Sequence, residues 1–245
     1  MIKAYKYRLC PNGEQRMFFE KSFGCARYVY NWALSKRIES YQQRKERLSC
    51  VYLCKMLTHL KKEEDKLWLN EVSNECLQQS IRCMDSAFTR FFREKKGFPK
   101  YKSKKNDRNA YKAINCVSID FETNRIKLPK IGWVKLYKNR TFEGKIGTVT
   151  VSKTNTGKYY VSVLVEDGKE IPSKPEIKYD TTVGIDVGIK DFAVLSNGQV
   201  FENPKYLEKA EIRLKTLQRR FARKQKGSNR RERQRLKLTK AYEKV

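Results

Sequence analysis

The chain has a single histidine, His59, and that scarcity closes off much chemistry. Ser-His-Asp and Cys-His catalysis both need an imidazole base with partners around it. A zinc site built on histidine needs more than one such ligand. His59 therefore reads as a helix-surface residue. The seven cysteines, at 10, 25, 50, 54, 76, 83 and 116, are odd in number and never form a C-x-x-C pair. Neither a disulfide framework nor a zinc ribbon is expected, and the thiols read as free core groups of a cytosolic protein. No apolar run approaches the ~18 residues of a membrane span. The opening MIKAYKYRLCP lacks the apolar stretch of a secretory signal. Acid is scarce too: 27 Asp+Glu stand against 55 Lys+Arg, a net charge of +28.

What is present then narrows the class. Hydrophobic residues at 39% and aromatics at 12% suffice for a packed core, which excludes disorder throughout. A length of 245 residues suits one large domain or two to three small ones. So large a positive charge calls for a polyanion, nucleic acid first and an anionic membrane surface second. Membrane binding would want an amphipathic helix with a bulky apolar face, and the most basic helical stretches are too thinly apolar for that.

Ile2–Leu9 alternates as a strand, with Lys3, Tyr5, Tyr7 and Leu9 on one face. Pro11-Asn12-Gly13 stops it, and Asn12 with Gln15 three residues on forms a helix-start signal. From Glu14 to about Arg93 the pattern is helical. Phe18, Cys25, Val29 and Trp32 recur at helical spacing. Leu53, Leu57 and Leu60 follow a start at Ser49. The clearest helix is Asn74–Arg93, capped by Ser73, with Leu77, Ile81, Met84, Phe88 and Phe91 on its apolar face. Gln79, Arg82, Ser86, Arg90 and Arg93 share the opposite face. Gln78, Gln79 and Arg82 are the candidate DNA-motif contacts, since Gln and Arg can read base edges.

At Gly97-Phe98-Pro99-Lys100-Tyr101-Lys102-Ser103-Lys104-Lys105 the character changes. Cations interleaved with rings suit a nucleic-acid strand, so Lys100, Tyr101, Lys102, Lys104 and Lys105 are candidate RNA contacts. Val117–Asp120, Arg125–Leu128, Val134–Leu136, Thr148–Ser152 and Lys158–Val165 read as short strands with turns at Asn124 and Asn155-Thr156-Gly157. Their close spacing suggests a small β-barrel, with Ile2–Leu9 as an extra strand. Gly168–Asp180, with Pro172 and Pro175, reads as a linker.

A third unit opens at Thr181. Val183–Gly188 is an apolar strand carrying Asp186, Asp191–Ser196 a second strand, Asn197-Gly198 a hairpin turn and Val200-Phe201 a third strand. Leu207, Ala210, Leu214, Leu217 and Phe221 keep a heptad spacing, so Lys205–Lys226 is a helix. Gly227-Ser228 turns into a second helix, Asn229–Glu243. Residues 205–245 hold 16 Lys/Arg and 4 Asp/Glu, a density that repels itself without a counter-ligand. Arg219, Arg220, Arg223, Lys224, Arg230 and Arg231 are the candidate RNA contacts there. A carboxylate such as Asp186 at a strand end can hold Mg²⁺ for phosphodiester chemistry, which ordinarily uses two ions ~4 Å apart. Sugar-kinase and actin-type ATPases also open with Gly-x-Asp-x-Gly, but there a Thr or Ser usually follows the second Gly, where this chain has Ile189-Lys190.

Taken together, MIKAYKYRL, ARYVYNWAL (26–34), LQQSIRCMDSAFTRFF (77–92), GFPKYKSKK (97–105), IKLPKIGWVK (126–135), VGIDVGIKDFAVLSNG (183–198) and NPKYLEKAEIRLKTLQRRFARKQKGSNR (203–230) resemble the TnpB family of OrfB-type transposon proteins. That family consists of RNA-guided DNA endonucleases related to type V CRISPR effectors. The resemblance covers essentially the whole chain and implies an α+β multidomain fold. Residues 1–12 plus 113–170 would form a wedge-type β-barrel, and 13–112 an inserted helical recognition domain. A linker at 171–180 would lead to 181–245, the N-terminal part of a RuvC-like, ribonuclease-H-type domain with a basic helical hairpin. Asp186 matches the first catalytic, Mg²⁺-binding aspartate, and Asp191 has no such role. The family's later glutamate, zinc ribbon and final aspartate have no counterpart here, so the metal site is incomplete and zinc is expected only in the missing part. The implied partners are guide RNA and double- and single-stranded DNA, with no membrane, in the cytoplasm of a prokaryote beside the nucleoid. Two alternatives stand beside a C-terminally truncated endonuclease: a non-catalytic RNA/DNA-binding module or repressor, and a transposase with an N-terminal helix-turn-helix.

Overall fold

The computed structural model describes residues 1–105, 107–174, 177–178, 180 and 182–245. Pro175 of the expected linker and Thr181 at the expected start of the third unit lie outside them. The chain divides into two compact units, Met1–Glu170 and Ile171–Val245. Among the described residues no helix is long and apolar enough to cross a membrane.

The first unit combines a seven-stranded antiparallel sheet with three α-helices. Strand β1 (Ile2–Cys10) leads into helix α1 (Gly13–Arg44). Between them Asn12 accepts from the Gln15 backbone N–H at 2.8 Å, and the Gln15 side chain accepts from Asn12 N–H at 3.1 Å. This reciprocal cap satisfies two donors that the first helical turn leaves open. Helix α1 is uninterrupted over 32 residues and ends at Lys45, which adopts a left-handed conformation (φ 59°). Helix α2 (Cys50–Leu60), a 3₁₀ helix (Glu64–Glu71) and helix α3 (Asn74–Glu94) follow. Ser49 caps α2 with its hydroxyl. Ser73 occupies the equivalent position before α3, but its side chain makes no capping bond. Nearby, the Glu75 carboxylate instead accepts from the backbone N–H groups of Ile114 and Asn115, at 3.0 and 2.8 Å.

The remaining strands are β2 (Asn109–Ala113), β3 (Ser118–Asp120), β4 (Arg125–Leu128), β5 (Gly132–Tyr137), β6 (Lys145–Lys153) and β7 (Tyr159–Glu166). Their order is β2-β6-β7-β1-β5-β4-β3, so β1, the first strand in the chain, sits mid-sheet between β7 and β5. Strict alternation on β7 turns Tyr159, Val161, Val163 and Val165 inward. Opposite them β6 contributes Val149 and Val151, beyond a register shift between Ile146 and Val149. Gly144, at φ +127°, leads into β6 where a Cβ would run into the Glu166 carbonyl. At the same end, Asp167 closes the sheet by pairing with Lys3 at 2.8 Å and with the Met1 ammonium at 3.1 Å.

Two apolar clusters result, and α1 joins them. Phe19, Phe23 and Ala26 pack on the inward face of the sheet. One to two turns later Val29, Tyr30, Ala33 and Leu34 pack with Leu53 and Leu57 of α2 and with Leu77, Ile81, Met84 and Phe88 of α3. Each such buried side chain is worth about 1.5–3 kcal/mol relative to exposure. Glu20 adds a polar tie: burial alone would raise its carboxyl pKa, but bonds from Lys153 (2.6 Å) and Tyr159 (2.8 Å) bring it below the usual value.

The second unit holds a three-stranded antiparallel sheet, β8 (Ile185–Asp186), β9 (Asp191–Leu195) and β10 (Val200–Glu202), then helices α4 (Tyr206–Ala222) and α5 (Asn229–Tyr242). Asn197-Gly198 makes the β9–β10 turn, with Gly198 at φ +84° and Leu195 N–H bonded to the Gln199 carbonyl at 2.9 Å. Burial is thin in this unit. Ala193 and Ala241 are buried, whereas Ile185, Val187, Phe192, Val194, Val200 and Phe201 are exposed.

Candidate nucleic-acid interfaces

Asp186 closes the short strand β8 opposite Val194 of β9, and its side chain is exposed. The hairpin around it is well fixed. Ser196 accepts from Gly184 N–H through its hydroxyl at 3.1 Å and returns its own N–H to the Gly184 carbonyl at 2.9 Å. Asn203 donates to the Ile189 carbonyl at 2.8 Å, which holds the chain entering α4. Asp191 heads β9, as a strand-start residue should. Among the described residues no group of three or more His, Cys, Asp or Glu side chains is placed to hold a metal ion. Mg²⁺ keeps most of its water unless several oxygen ligands converge, so Asp186 with its present neighbours does not fit a closed magnesium site.

A cationic feature lies between α4 and α5. A groove of about 840 Å³ is lined by Lys209, Arg213, Arg220, Lys237, Lys240 and Lys244 around a floor that includes Ala210, Leu217 and Ala241. Among the described residues no carboxylate lines it. Small residues on the facing helices open the groove, and cations one turn away on each side form its walls. Of the six arginines and lysines that sequence density singled out here, only Arg220 lines the groove. Arg219, Arg223, Lys224 and Arg230 are exposed outside it. Arg231 is engaged within the hairpin: its guanidinium stacks 4.2 Å from the Phe221 ring and donates to the carbonyls of Phe221 (3.3 Å) and Lys224 (2.6 Å). It closes the C-terminal end of α4, where a cation is favoured. The signal for the groove residues was present in the sequence, as Lys209/Arg213 and Lys240/Lys244 at four-residue spacing beside Ala210 and Ala241.

In the first unit the expected polar face of α3 is exposed at Arg82, Ser86, Arg90 and Arg93. Gln79 is the exception. It is 8% exposed and lines a small cavity of about 130 Å³ with Arg27, Lys102, Arg108, Tyr111 and Lys112. Strand β2, most of which falls in the 13–112 stretch expected to be a helical domain, packs on α3 and covers this position; the alternation of buried Tyr111 and Ala113 with exposed Lys112 was its trace. Gln78 is half-buried and Arg82 exposed one turn on, so of the expected Gln78, Gln79 and Arg82 contacts only Gln79 is buried.

The basic loop after α3 presents Lys100, Tyr101, Lys104 and Lys105 to solvent. Lys102 is turned in. Its backbone is gripped by Asn31, which accepts from the Lys102 N–H at 2.7 Å and donates to its carbonyl at 2.9 Å. The Lys102 ammonium lies 3.9 Å from the Tyr30 ring centre, and burial pulls its pKa below the usual lysine value. Asp107 accepts from Ser103 N–H at 2.6 Å and holds the loop in shape. The pinned loop therefore offers its four outer side chains without ordering cost for the backbone.

Comparison with known proteins places the chain. A family model described as "Helix-turn-helix domain" matches residues 1–46, and an OrfB model described as "Probable transposase" matches residues 160–245. The protein "Putative RNA-guided DNA endonuclease InsQ" of Escherichia coli is 32% identical over 241 residues, 98% of this chain and 59% of that one. This chain belongs to the OrfB family of transposon proteins. A "Putative RNA-guided DNA endonuclease" of Streptomyces pristinaespiralis is 33% identical over 249 aligned positions, covering 99% of the OrfB chain and 60% of the relative. The OrfB chain thus spans about 60% of the length of these curated relatives. Among solved structures, the "Cryo-EM structure of the Cas12f1-sgRNA-target DNA complex" aligns over 100% of this chain and 64% of that one, at 14% identity and a TM-score of 0.35. Over residues 1–46, where the helix-turn-helix model matches, the chain forms strand β1 and the single helix α1.

Proposed function

We propose that this OrfB chain holds a guide RNA and its DNA target within an RNA-guided DNA endonuclease. In this reading the seven-stranded sheet serves as the wedge-type barrel, α1–α3 as the recognition helices, and β8–β10 with α4–α5 as part of a RuvC-like nuclease fold. Target sequence is then read by base pairing, while protein side chains hold backbones and a short flanking motif. The observation that carries the reading is the groove between α4 and α5, with six cations and no carboxylate on its walls. Such a surface neutralises successive phosphates and releases their counterions. Relatives named as RNA-guided DNA endonucleases, aligned along nearly the whole chain, support nucleic acid as that polyanion. Asp186 supplies one carboxylate toward a divalent ion. Among the described residues no group of three or more metal-ligating side chains forms, so no hydrolytic step is assigned to these residues.

The test is to express the chain from its own locus, purify it, and sequence the nucleic acid that accompanies it. One enriched structured RNA from the flanking DNA is the expected result. Recovery of bulk RNA in proportion to its abundance would refute guide binding. A second reading, a binding module that does not cut, is favoured because among the described residues Asp186 belongs to no group of three metal-ligating side chains. A plasmid-cleavage assay with Mg²⁺ and the recovered RNA separates the two: Asp186-dependent cutting by this chain would exclude the module.

A further inference from the structure

The C-terminal ends of α1 and α3, with the loop that follows α3, enclose a cleft of about 590 Å³. That is within the size range of small-ligand pockets. Its walls are rings: Tyr41 from α1, Phe88, Phe91 and Phe92 from α3, and Phe98 from the loop. Phe98 stands edge-on to Phe88 and Phe91, with centroids 5.5 and 5.4 Å apart, so the aromatic wall is preorganised. Yet Phe92 is 71% exposed, Tyr41 59% and Phe98 48%. A contiguous exposed aromatic surface of this kind marks a binding site.

The polar groups of the cleft select the occupant. Arg37 is 5% exposed. One end of its guanidinium pairs with Asp85 at 2.7 Å, the other donates to the Leu48 carbonyl at 2.8 Å, and its plane lies 5.1 Å from the Phe88 ring. Its Nε–H has no acceptor. Lys45 and Arg47 also line the cleft and are exposed; Lys45 lies 5.5 Å from the Tyr41 ring and Arg47 sits 3.6 Å from Asp85, a carboxylate already shared with Arg37. Among the described residues no carboxylate lines the cleft itself. An apolar peptide would cover the rings but bring no anion to this cationic edge. A nucleotide brings both, a π-face for the rings and a phosphate for the exposed cations. Duplex DNA keeps its bases stacked, whereas folded RNA presents unpaired ones in loops and bulges.

We infer that this cleft captures unpaired bases of the bound RNA, with Phe92 as a stacking platform; this rests on the RNA-binding reading above. The test uses a fluorescent single-stranded RNA of mixed sequence, the same strand with abasic positions, and the matching DNA. Proteins are wild type, Phe92→Ala and Phe92→Trp. Phe92 is exposed, so neither substitution opens a core cavity. Phe92→Ala should weaken RNA binding roughly 5- to 150-fold, the range for one lost base–aromatic stack, while leaving the salt slope unchanged. Phe92→Trp should bind like wild type, and abasic RNA should be insensitive to the alanine change. Equal binding by Phe92→Ala and wild type would overturn the inference, as would the same Phe92 dependence on DNA. A Phe92-dependent dimer in sedimentation without RNA would also overturn it, by making the cleft a protein interface. Wild type that binds no RNA at any salt would overturn the underlying reading as well, which separates the two failures.

Discussion

Replacing Lys209, Lys237 and Lys240 together with glutamine should cut the salt dependence of RNA binding roughly in half. These three line the groove with Arg213, Arg220 and Lys244, and among the described residues none of the six pairs with a carboxylate. Each neutralised phosphate contributes about −0.7 to the log–log slope on single strands and about −0.9 on duplex DNA. Six contacts then give a slope of about −4 to −5, or a loss of about 300- to 2000-fold in affinity between 50 and 200 mM salt. Three contacts give about −2 to −3 and a loss of about 20- to 40-fold. Glutamine keeps good helix propensity, so α4 and α5 should persist, which circular dichroism checks. The assay is fluorescence anisotropy of labelled RNA across a salt series. Arg231→Gln is the control. It lies in the same basic segment but spends its guanidinium on the Phe221 and Lys224 carbonyls, so it should loosen the helical hairpin and leave the slope nearly unchanged. A triple variant with the wild-type slope, or an Arg231→Gln slope that falls as far as the triple's, would refute the assignment of the groove.

Three further outcomes follow from the first unit. Asp85→Ala should destabilise it by about 2 kcal/mol, below the 3–5 of a fully buried broken pair because Asp85 is 27% exposed. Arg37→Met in the same chain should recover part of the loss, read by tryptophan fluorescence in urea, since Trp32, Trp68 and Trp133 all lie in this unit; a change under about 0.5 kcal/mol would remove the pair from the stability account. Burial pushes the Cys25 thiol up to about 11 and raises Cys76 as well, while Cys116 is exposed. Iodoacetamide at pH 8 should therefore label Cys116 in the native protein and reach Cys25 and Cys76 only after denaturation, by peptide mass mapping. Asp167 is held well below the usual carboxylate range by the Lys3 ammonium, then by the Lys169 N–H. A depressed carboxylate stabilises above its unfolded pKa of about 3.9 and loses that contribution as pH falls through the folded value. Asp167→Asn should lower the melting temperature at pH 7 and flatten its fall below pH 4. Parallel curves for the two proteins would contradict this.

Local signals in the sequence survived into the structure because local physics produces them. The Asn12–Gln15 cap, the Ser49 cap, the Leu53-Leu57-Leu60 stripe and the Asn197-Gly198 turn each depend on residues within one or two turns of one another. Strand ends shifted by a few residues where pairing partners outran the apolar alternation, as in Lys145–Lys153 around Val149 and Val151. What failed to show was non-local. β2 becomes a strand because β6 offers it an edge, and Glu75 accepts two N–H groups at its far end; both partners lie some 40 residues away in sequence. Its presence is also what buries Gln79. No helical wheel drawn for α3 alone contains that neighbour.

The same reasoning explains why several cations that charge density singled out are engaged within the protein itself. A lysine or arginine is available to a ligand only if nothing closer satisfies it. Lys102 sits over Tyr30 on a backbone pinned by Asn31, Arg231 caps carbonyls at the end of α4, and Arg37 is shared between Asp85, Leu48 and Phe88. Each of these has a carbonyl, carboxylate or aromatic ring within reach. The six groove cations have no carboxylate partner among the described residues, and Ala210 and Ala241, beside Lys209 and Lys240, bring them no polar side chain and no ring. So close a set of like charges carries a cost in self-repulsion that a bound polyanion would remove. Under the proposed function, the alanines of α4 and α5 mark the polyanion-binding surface more closely than the runs of arginine between them.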